Sequence, residues 1–261
     1  MMGRRSFLTM TAAAGAVSMS GAEAASAAEG GGARECYELR AYMVKSPEQQ
    51  AGVVKFWCDA AIPAYNRIGV NPVGVFLVQE ELSPVYVVLP HPSLASVATA
   101  TDKLLADEAF LAAGAAFLNA PAENPAYERI ESSLLEAFTG MPKLERPAES
   151  DTRVFQLRIY ESPSVKTGQK KIEMFNTAEI DIFRKTGLNP VFFGEALAGT
   201  KMPNLTYMLG FENADAQKAA WDAFRKDPDW LELRAKPEYA DDKILCGITN
   251  IVLKPAGCSQ I

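Results

Sequence analysis

Histidine is nearly absent: His91 is the only one in 261 residues. That excludes a metal centre built from several histidines of one chain. A Ser–His–Asp triad could only form around His91, where no nucleophile-elbow motif occurs. Cysteine is also scarce. Cys36, Cys58, Cys246 and Cys258 never fall at C-x-x-C spacing, which removes the usual zinc signature. Basic runs are missing, the formal net charge is −6, and no aromatic RNA-binding motif occurs, so nucleic acid is not an expected partner. Long apolar runs are missing as well. No segment reaches the roughly 18 residues of a membrane-spanning helix, and the 48% hydrophobic content comes in short stretches ample for a buried core.

The N-terminus reads Gly3-Arg4-Arg5-Ser6-Phe7-Leu8-Thr9, followed by a weakly apolar stretch rich in Ala, Thr and Gly from Met10 to Ala22. Small residues at Ala22/Ala24 and Ala25/Ala27 fit an A-x-A cleavage site. Residues 1–28 resemble a bacterial twin-arginine export signal, so the expected location is periplasmic or secreted. Removing them takes away Arg4, Arg5 and Glu23. That leaves 26 − 2 = 24 basic and 32 − 1 = 31 acidic residues, or a net charge of −7. Export permits a disulfide. Free buried thiols are an equal alternative, because the cysteines do not recur in the repeat described next.

What is present is a duplication. Leu39-Arg40-Ala41-Tyr42 recurs as Leu157-Arg158-Ile159-Tyr160, and Gly69-Val70-Asn71-Pro72-Val73 recurs as Gly187-Leu188-Asn189-Pro190-Val191. Both pairs share one offset, 158 − 40 = 189 − 71 = 118. A constant offset means two copies of one small-domain unit. The first copy occupies residues 34–140, the second 153–261, with a Pro-containing linker over 141–152.

Each copy reads as βαββαβ. Alternation predicts a strand from Glu35 to Tyr42. Ser46-Pro47-Glu48 starts a helix that runs to about Arg67, with Pro63 as an expected kink and Gly69 as its stop. Val73–Gln79 and Val85–Leu89 form a hairpin, a helical region follows to about Ala116, and Ile130–Phe138 is the last strand. The second copy repeats this order from Arg153 to Leu253. The fold class is therefore α+β, with two tandem ferredoxin-like units whose helix-free sheet faces pack together.

The motifs Glu38-Leu39-Arg40-Ala41-Tyr42 and Gln156-Leu157-Arg158-Ile159-Tyr160, each with a helix leading to a Gly-x-Asn-Pro-Val turn, resemble the NIPSNAP family over residues 35–261. That resemblance implies an intramolecular version of the dimeric α+β barrel, a fold class that includes small monooxygenases, isomerases and haem-dependent enzymes. It implies no settled activity and no agreed catalytic residues. The family's animal members are linked to mitochondria and to protein–protein contacts.

If Leu39 and Leu157 face the helices, then Glu38, Arg40, Tyr42, Gln156, Arg158 and Tyr160 face the space between the sheets. Buried charge repeated in both copies points either to an internal Arg–Glu network or to a cavity for a polar or anionic ligand. These six are the candidate ligand-binding residues. Asn71, Pro72, Asn189 and Pro190 are structural turn residues. Trp57, Trp221 and Trp230 are expected in the core, and Asp227-Pro228-Asp229 at a helix start. His91 is expected at an exposed loop end, and no cofactor or metal is predicted. The preferred function is binding or interaction, with a small molecule, a protein or a second copy as partner. A cofactor-free monooxygenase or isomerase using Tyr42, Tyr160 and Arg158 is the first alternative, and haem ligation by His91 the second.

Overall fold

The computed structural model describes residues 33–261, so the arginine pair and the cleavage site lie outside the described residues. The first unit runs β1 (Cys36–Met43), α1 (Pro47–Phe56), α2 (Ile62–Arg67), β2 (Gly74–Val78), β3 (Val85–His91), α3 (Leu94–Leu105), α4 (Glu108–Ala113), α5 (Ala115–Leu118) and β4 (Arg129–Ala137). The second runs β5 (Val154–Glu161), α6 (Val165–Met174), α7 (Ile180–Lys185), β6 (Asn189–Ala198), β7 (Asn204–Phe211), α8 (Ala214–Lys226), α9 (Pro228–Arg234), α10 (Asp241–Ile244) and β8 (Gly247–Pro255). Among the described residues no helix is long and apolar enough to cross a membrane.

Local chemistry explains the shared helix. Ser46 Oγ accepts from Gln49 N at 3.3 Å with Pro47 in the first turn, and Ser164 Oγ accepts from Thr167 N at 3.2 Å. Gly69 and Gly187 both end the helix at φ +83°, a conformation that a side chain disfavours. Between cap and stop, each helix passes through one π-helical turn, Trp57–Ala61 in the first copy and Phe175–Glu179 in the second. The turn, rather than Pro63, is the helix's irregularity. It recurs at the same offset of 118 in the second copy, where Asp181 replaces the proline.

All eight strands close into one antiparallel barrel, in the order β1-β3-β2-β8-β5-β7-β6-β4. Each unit contributes a four-stranded sheet. The sheets join edge to edge, β2 to β8 (Phe76 opposite Pro255) and β4 to β6 (Ala137 opposite Gly194). The two tandem ferredoxin-like units thus form an intramolecular dimeric α+β barrel, and closure leaves no strand edge unpaired. Cys58, in the first π turn, is disulfide-bonded to Cys258, which follows β8. Cys36 is a buried free thiol and Cys246 an exposed one.

The strand faces are opposite to the sequence-based expectation. Leu39 and Leu157 point into the barrel, where they pack with Tyr37, Phe76, Phe155, Phe192 and Met208 in a solvent-free core. Glu38, Arg40, Tyr42, Gln156, Arg158 and Tyr160 lie on the helix-facing side instead. Physical chemistry favours this outcome. A sealed barrel core offers no water to charged groups, whereas the gap between a sheet and its helices stays partly open at its margins. No ligand space exists between the sheets at these positions.

Candidate functional site

The six candidates form two triads on β1 and β5, which stand on opposite sides of the barrel. They do not converge on one cavity. Each triad lies in its own helix–sheet crevice, and the two crevices have diverged.

In the first unit Arg40 is neutralised. Its Nε and Nη2 donate to Glu38 Oε1 and Oε2 at 2.6 and 2.8 Å, and Ser132 Oγ donates to Glu38 Oε1 at 2.9 Å. Arg40 also lies 5.7 Å from the Tyr65 ring centre. His91 ends β3 with no solvent exposure, which corrects its expected exposed position. The strand continues two residues further than its apolar run suggested. The His91 Nδ1 is 3.1 Å from Ser96 Oγ, and Nε2 is 3.7 Å from Glu38 Oε2. With both nitrogens facing protein groups inside a sealed core, His91 does not fit axial ligation of a haem.

Burial alone would raise the Glu38 carboxyl. The His91 ring, the paired hydrogen bonds and charge of Arg40, and Ser132 outweigh burial and hold its pKa at about 2, against an ordinary 4.5. A depressed folded-state pKa stabilises above the unfolded value, and that stability is lost as pH falls from about 4.5 towards 2. The effect is on the order of 3 kcal/mol. We therefore expect denaturant unfolding of wild type to weaken steeply across this window. Glu38→Gln, less stable at neutral pH, should show a flatter acid dependence. Parallel pH profiles would contradict the assignment.

Beside this locked pair lies a crevice of about 190 Å³, walled by Tyr42, Phe56, Trp57, Tyr65, Phe117 and Tyr127 and edged by Thr101 of α3. Tyr42 meets Trp57 and Tyr127 edge-on, at ring-centre separations of 6.0 and 5.4 Å. The Trp57 Nε1 donor is buried and makes no well-formed hydrogen bond among the described residues, with the Tyr42 side chain as its polar neighbour. Trp57 is fully buried, as its helical spacing predicts, but spacing does not reveal the environment of its indole donor. Burial pushes the Tyr65 phenol up to about 12, with Arg40 opposing, so it is a protonated donor at neutral pH. The π turn positions Trp57 and Ala61, while α2 positions Tyr65.

The second unit is built differently. Glu38 is matched by Gln156, whose amide nitrogen donates to Asn250 and whose oxygen accepts from Trp221 Nε1, both at 2.6 Å. Arg158 has no carboxylate at the position that Glu38 holds beside Arg40, and it lies 4.8 Å from the Trp221 ring centre and 5.4 Å from that of Tyr160. Tyr207 donates to Tyr160 through their hydroxyls at 2.9 Å. Beneath them Lys171 and Glu179 form a buried ion pair at 3.2 Å, in positions that hold Val53 and Ala61 in the first unit. The sequence reading missed this pair, because charges on a helix ordinarily mark a solvated face. The aligned repeat carried the signal.

Trp221 explains why the second crevice is filled beneath its rim. The closing halves of the units align at an offset of 211 − 91 = 120, which matches Trp221 to Thr101. The first unit is open where the second carries an indole. The turn residues have local roles. Asn71–Pro72 is a cis peptide before β2, whereas Asn189 and Pro190 open β6 opposite Gly210 and Leu209. Asp227 caps α9, accepting from Asp229 N and Trp230 N, and its other oxygen pairs with Lys185 at 2.7 Å.

Comparison with known proteins agrees with this architecture. The family model of NIPSNAP matches residues 155–260. A provisional monooxygenase from Fusobacterium nucleatum superposes with TM-score 0.57 at 9% identity, covering 85% of this chain and 93% of that one. A provisional monooxygenase from Lactobacillus acidophilus gives 0.56 at 10% identity, covering 85% and 94%. A NIPSNAP family protein from Agrobacterium tumefaciens gives 0.38 at 17% identity, covering 42% of this chain and 98% of its own. No curated protein matches the sequence. The fold defines a dimeric α+β barrel protein. Within it, residues 155–260 match the NIPSNAP family model.

Proposed function

We propose that the protein binds a compact, neutral, largely aromatic molecule in the first-unit crevice, held by one hydrogen bond from Trp57. Trp57 lines the aromatic crevice and its buried Nε1 makes no well-formed hydrogen bond among the described residues, and this carries the reading. A buried donor without an acceptor is costly, and a ligand acceptor relieves that cost. The Glu38–Arg40 pair is self-neutralised, so the crevice presents no free charge to repel an uncharged guest. Binding is better supported than turnover. A cofactor-free oxygenase needs a base to take a proton from its substrate. Here the carboxylate is committed to Arg40 and the phenols are protonated.

Acetophenone and ethylbenzene differ mainly in a carbonyl acceptor. Calorimetry on wild type should give tighter binding for acetophenone. Trp57→Phe should lose roughly 2- to 10-fold for acetophenone, the worth of one hydrogen bond, and little for ethylbenzene. No saturable binding of either to wild type, or equal losses for both, would count against the site.

We also propose export through the twin-arginine leader. The Cys58–Cys258 disulfide supports it, since such bonds persist in oxidising compartments. Replacing Arg4 and Arg5 by lysine should retain the chain in the cytoplasm with both thiols reduced. Normal export of that variant would refute the assignment.

A further inference from the structure

The two copies give opposite answers to one problem, the placement of an arginine at the third position of the opening strand's motif. In the first unit the neighbouring Glu38 holds Arg40 with two hydrogen bonds. In the second unit that neighbour is Gln156, and its amide is fully engaged by Trp221 and Asn250. Arg158 Nε is buried with no acceptor. Glu179, whose charge reaches Arg158, is bonded to Lys171 and lies beneath the ring layer. Ser132 and Asn250 sit opposite the two arginines in register, so the comparison is position for position.

Above Arg158 opens a groove of about 490 Å³ at the β5–α8 face, lined by Gln156, Gln217, Lys218, Trp221, Arg225 and Asn250. Three cations, Arg158, Lys218 and Arg225, edge it, and no carboxylate lines it. Arg225 is paired with Asp222 outside the groove. Neither Arg158 nor Lys218 has a carboxylate partner among the described residues. The geometry points to a second ligand site, distinct from the first-unit crevice, in which Arg158 and Lys218 bind the carboxylate of a small organic acid. The guanidinium already lies against the Trp221 and Tyr160 rings. It therefore loses little freedom on binding, and its planar fork matches a carboxylate's two oxygens. The gain comes from pairing a half-buried cation that lacks a carboxylate partner among the described residues. Lys218 is exposed on α8, suited to a second, looser contact.

The test uses the full mature chain and titration calorimetry with benzoate, succinate and inorganic phosphate, each at matched ionic strength. At least one carboxylate should bind saturably and more tightly than phosphate, and its affinity should fall as chloride rises. Gln156→Glu installs the first unit's clamp beside Arg158. It should reduce carboxylate affinity at least 10-fold while leaving the melting temperature unchanged or higher. Lys218→Ala, on the exposed helix face, should cost roughly 3-fold with no change in stability, in line with one exposed charge contact. Acetophenone binding in the other crevice should be unaffected by either change, which separates failure here from failure of the first site. Absence of saturable carboxylate binding to wild type overturns the proposal. So does undiminished binding by Gln156→Glu, and so does a preference for phosphate over every carboxylate.

Discussion

Lys171→Met should destabilise the fold by about 3–5 kcal/mol, the cost of leaving a buried charge without its partner. The Lys171 and Glu179 side chains are 1% and 3% exposed, and among the described residues no other cation pairs with Glu179. Lys171 is also 5.1 Å from the Phe175 ring centre and 5.8 Å from those of Tyr160 and Trp230. Burial raises the Glu179 carboxyl, with Lys171 opposing. The pair is thus held by geometry against a desolvation cost. Changing both residues, as Lys171→Met with Glu179→Leu, removes the charges together and should recover most of the loss, because apolar replacements of similar volume often match a buried ion pair. The first unit already holds apolar residues, Val53 and Ala61, in the same two positions. Urea unfolding of the two variants decides the matter. A double variant as unstable as the single one would show that packing around these side chains, rather than their charges, is what matters.

Loss of the disulfide should cost about 2–5 kcal/mol, the usual range for a native cross-link. Cys58 and Cys258 are 200 residues apart in sequence, and they join the first unit's helix layer to the segment after β8. That segment also pairs with the strand of the other half at the β2–β8 seam. Gln260 N donates to Val73 O at 2.9 Å, Ser259 Oγ accepts from Val75 N at 3.1 Å, and Ile261 is buried in the barrel core. Cys58→Ala with Cys258→Ala should therefore lower stability measurably under oxidising conditions. Wild type in reductant should fall to the same level. Equal stability of oxidised wild type and the double variant, within about 0.5 kcal/mol, would show that the seam holds itself.

The sequence disclosed the duplication, the strand and helix order, the Ser46 cap and the helix-ending Gly69, because each rests on a local rule that the fold obeys. The direction in which β1 faces was not legible. In an open sheet one face is wet and alternation is informative. In a closed barrel flanked by helices Leu39 and Tyr42 are both buried, on opposite faces, and the period alone cannot say which face is the barrel core. His91 was misplaced because a proline after a histidine suggests a strand end, yet Pro90 and His91 both pair with β1. The Cys58–Cys258 bond joins non-repeated positions and leaves no trace in spacing. The difference between the crevices was present in the sequence as Glu38 against Gln156 and Thr101 against Trp221. Its meaning needed the structure, which showed that these positions share a helix–sheet gap.

The first crevice is open where the second carries the Trp221 indole, and the proposed binding depends on that difference. Thr101 is exposed at the rim, so Thr101→Trp should fold normally while placing that indole in the gap. The decisive measurement is calorimetric titration of acetophenone into wild type and Thr101→Trp, with melting curves confirming that both are folded. Wild type should bind saturably with one-to-one stoichiometry, and a folded Thr101→Trp variant should lose that binding. Equal affinity in the two proteins would place the ligand elsewhere and contradict the claim.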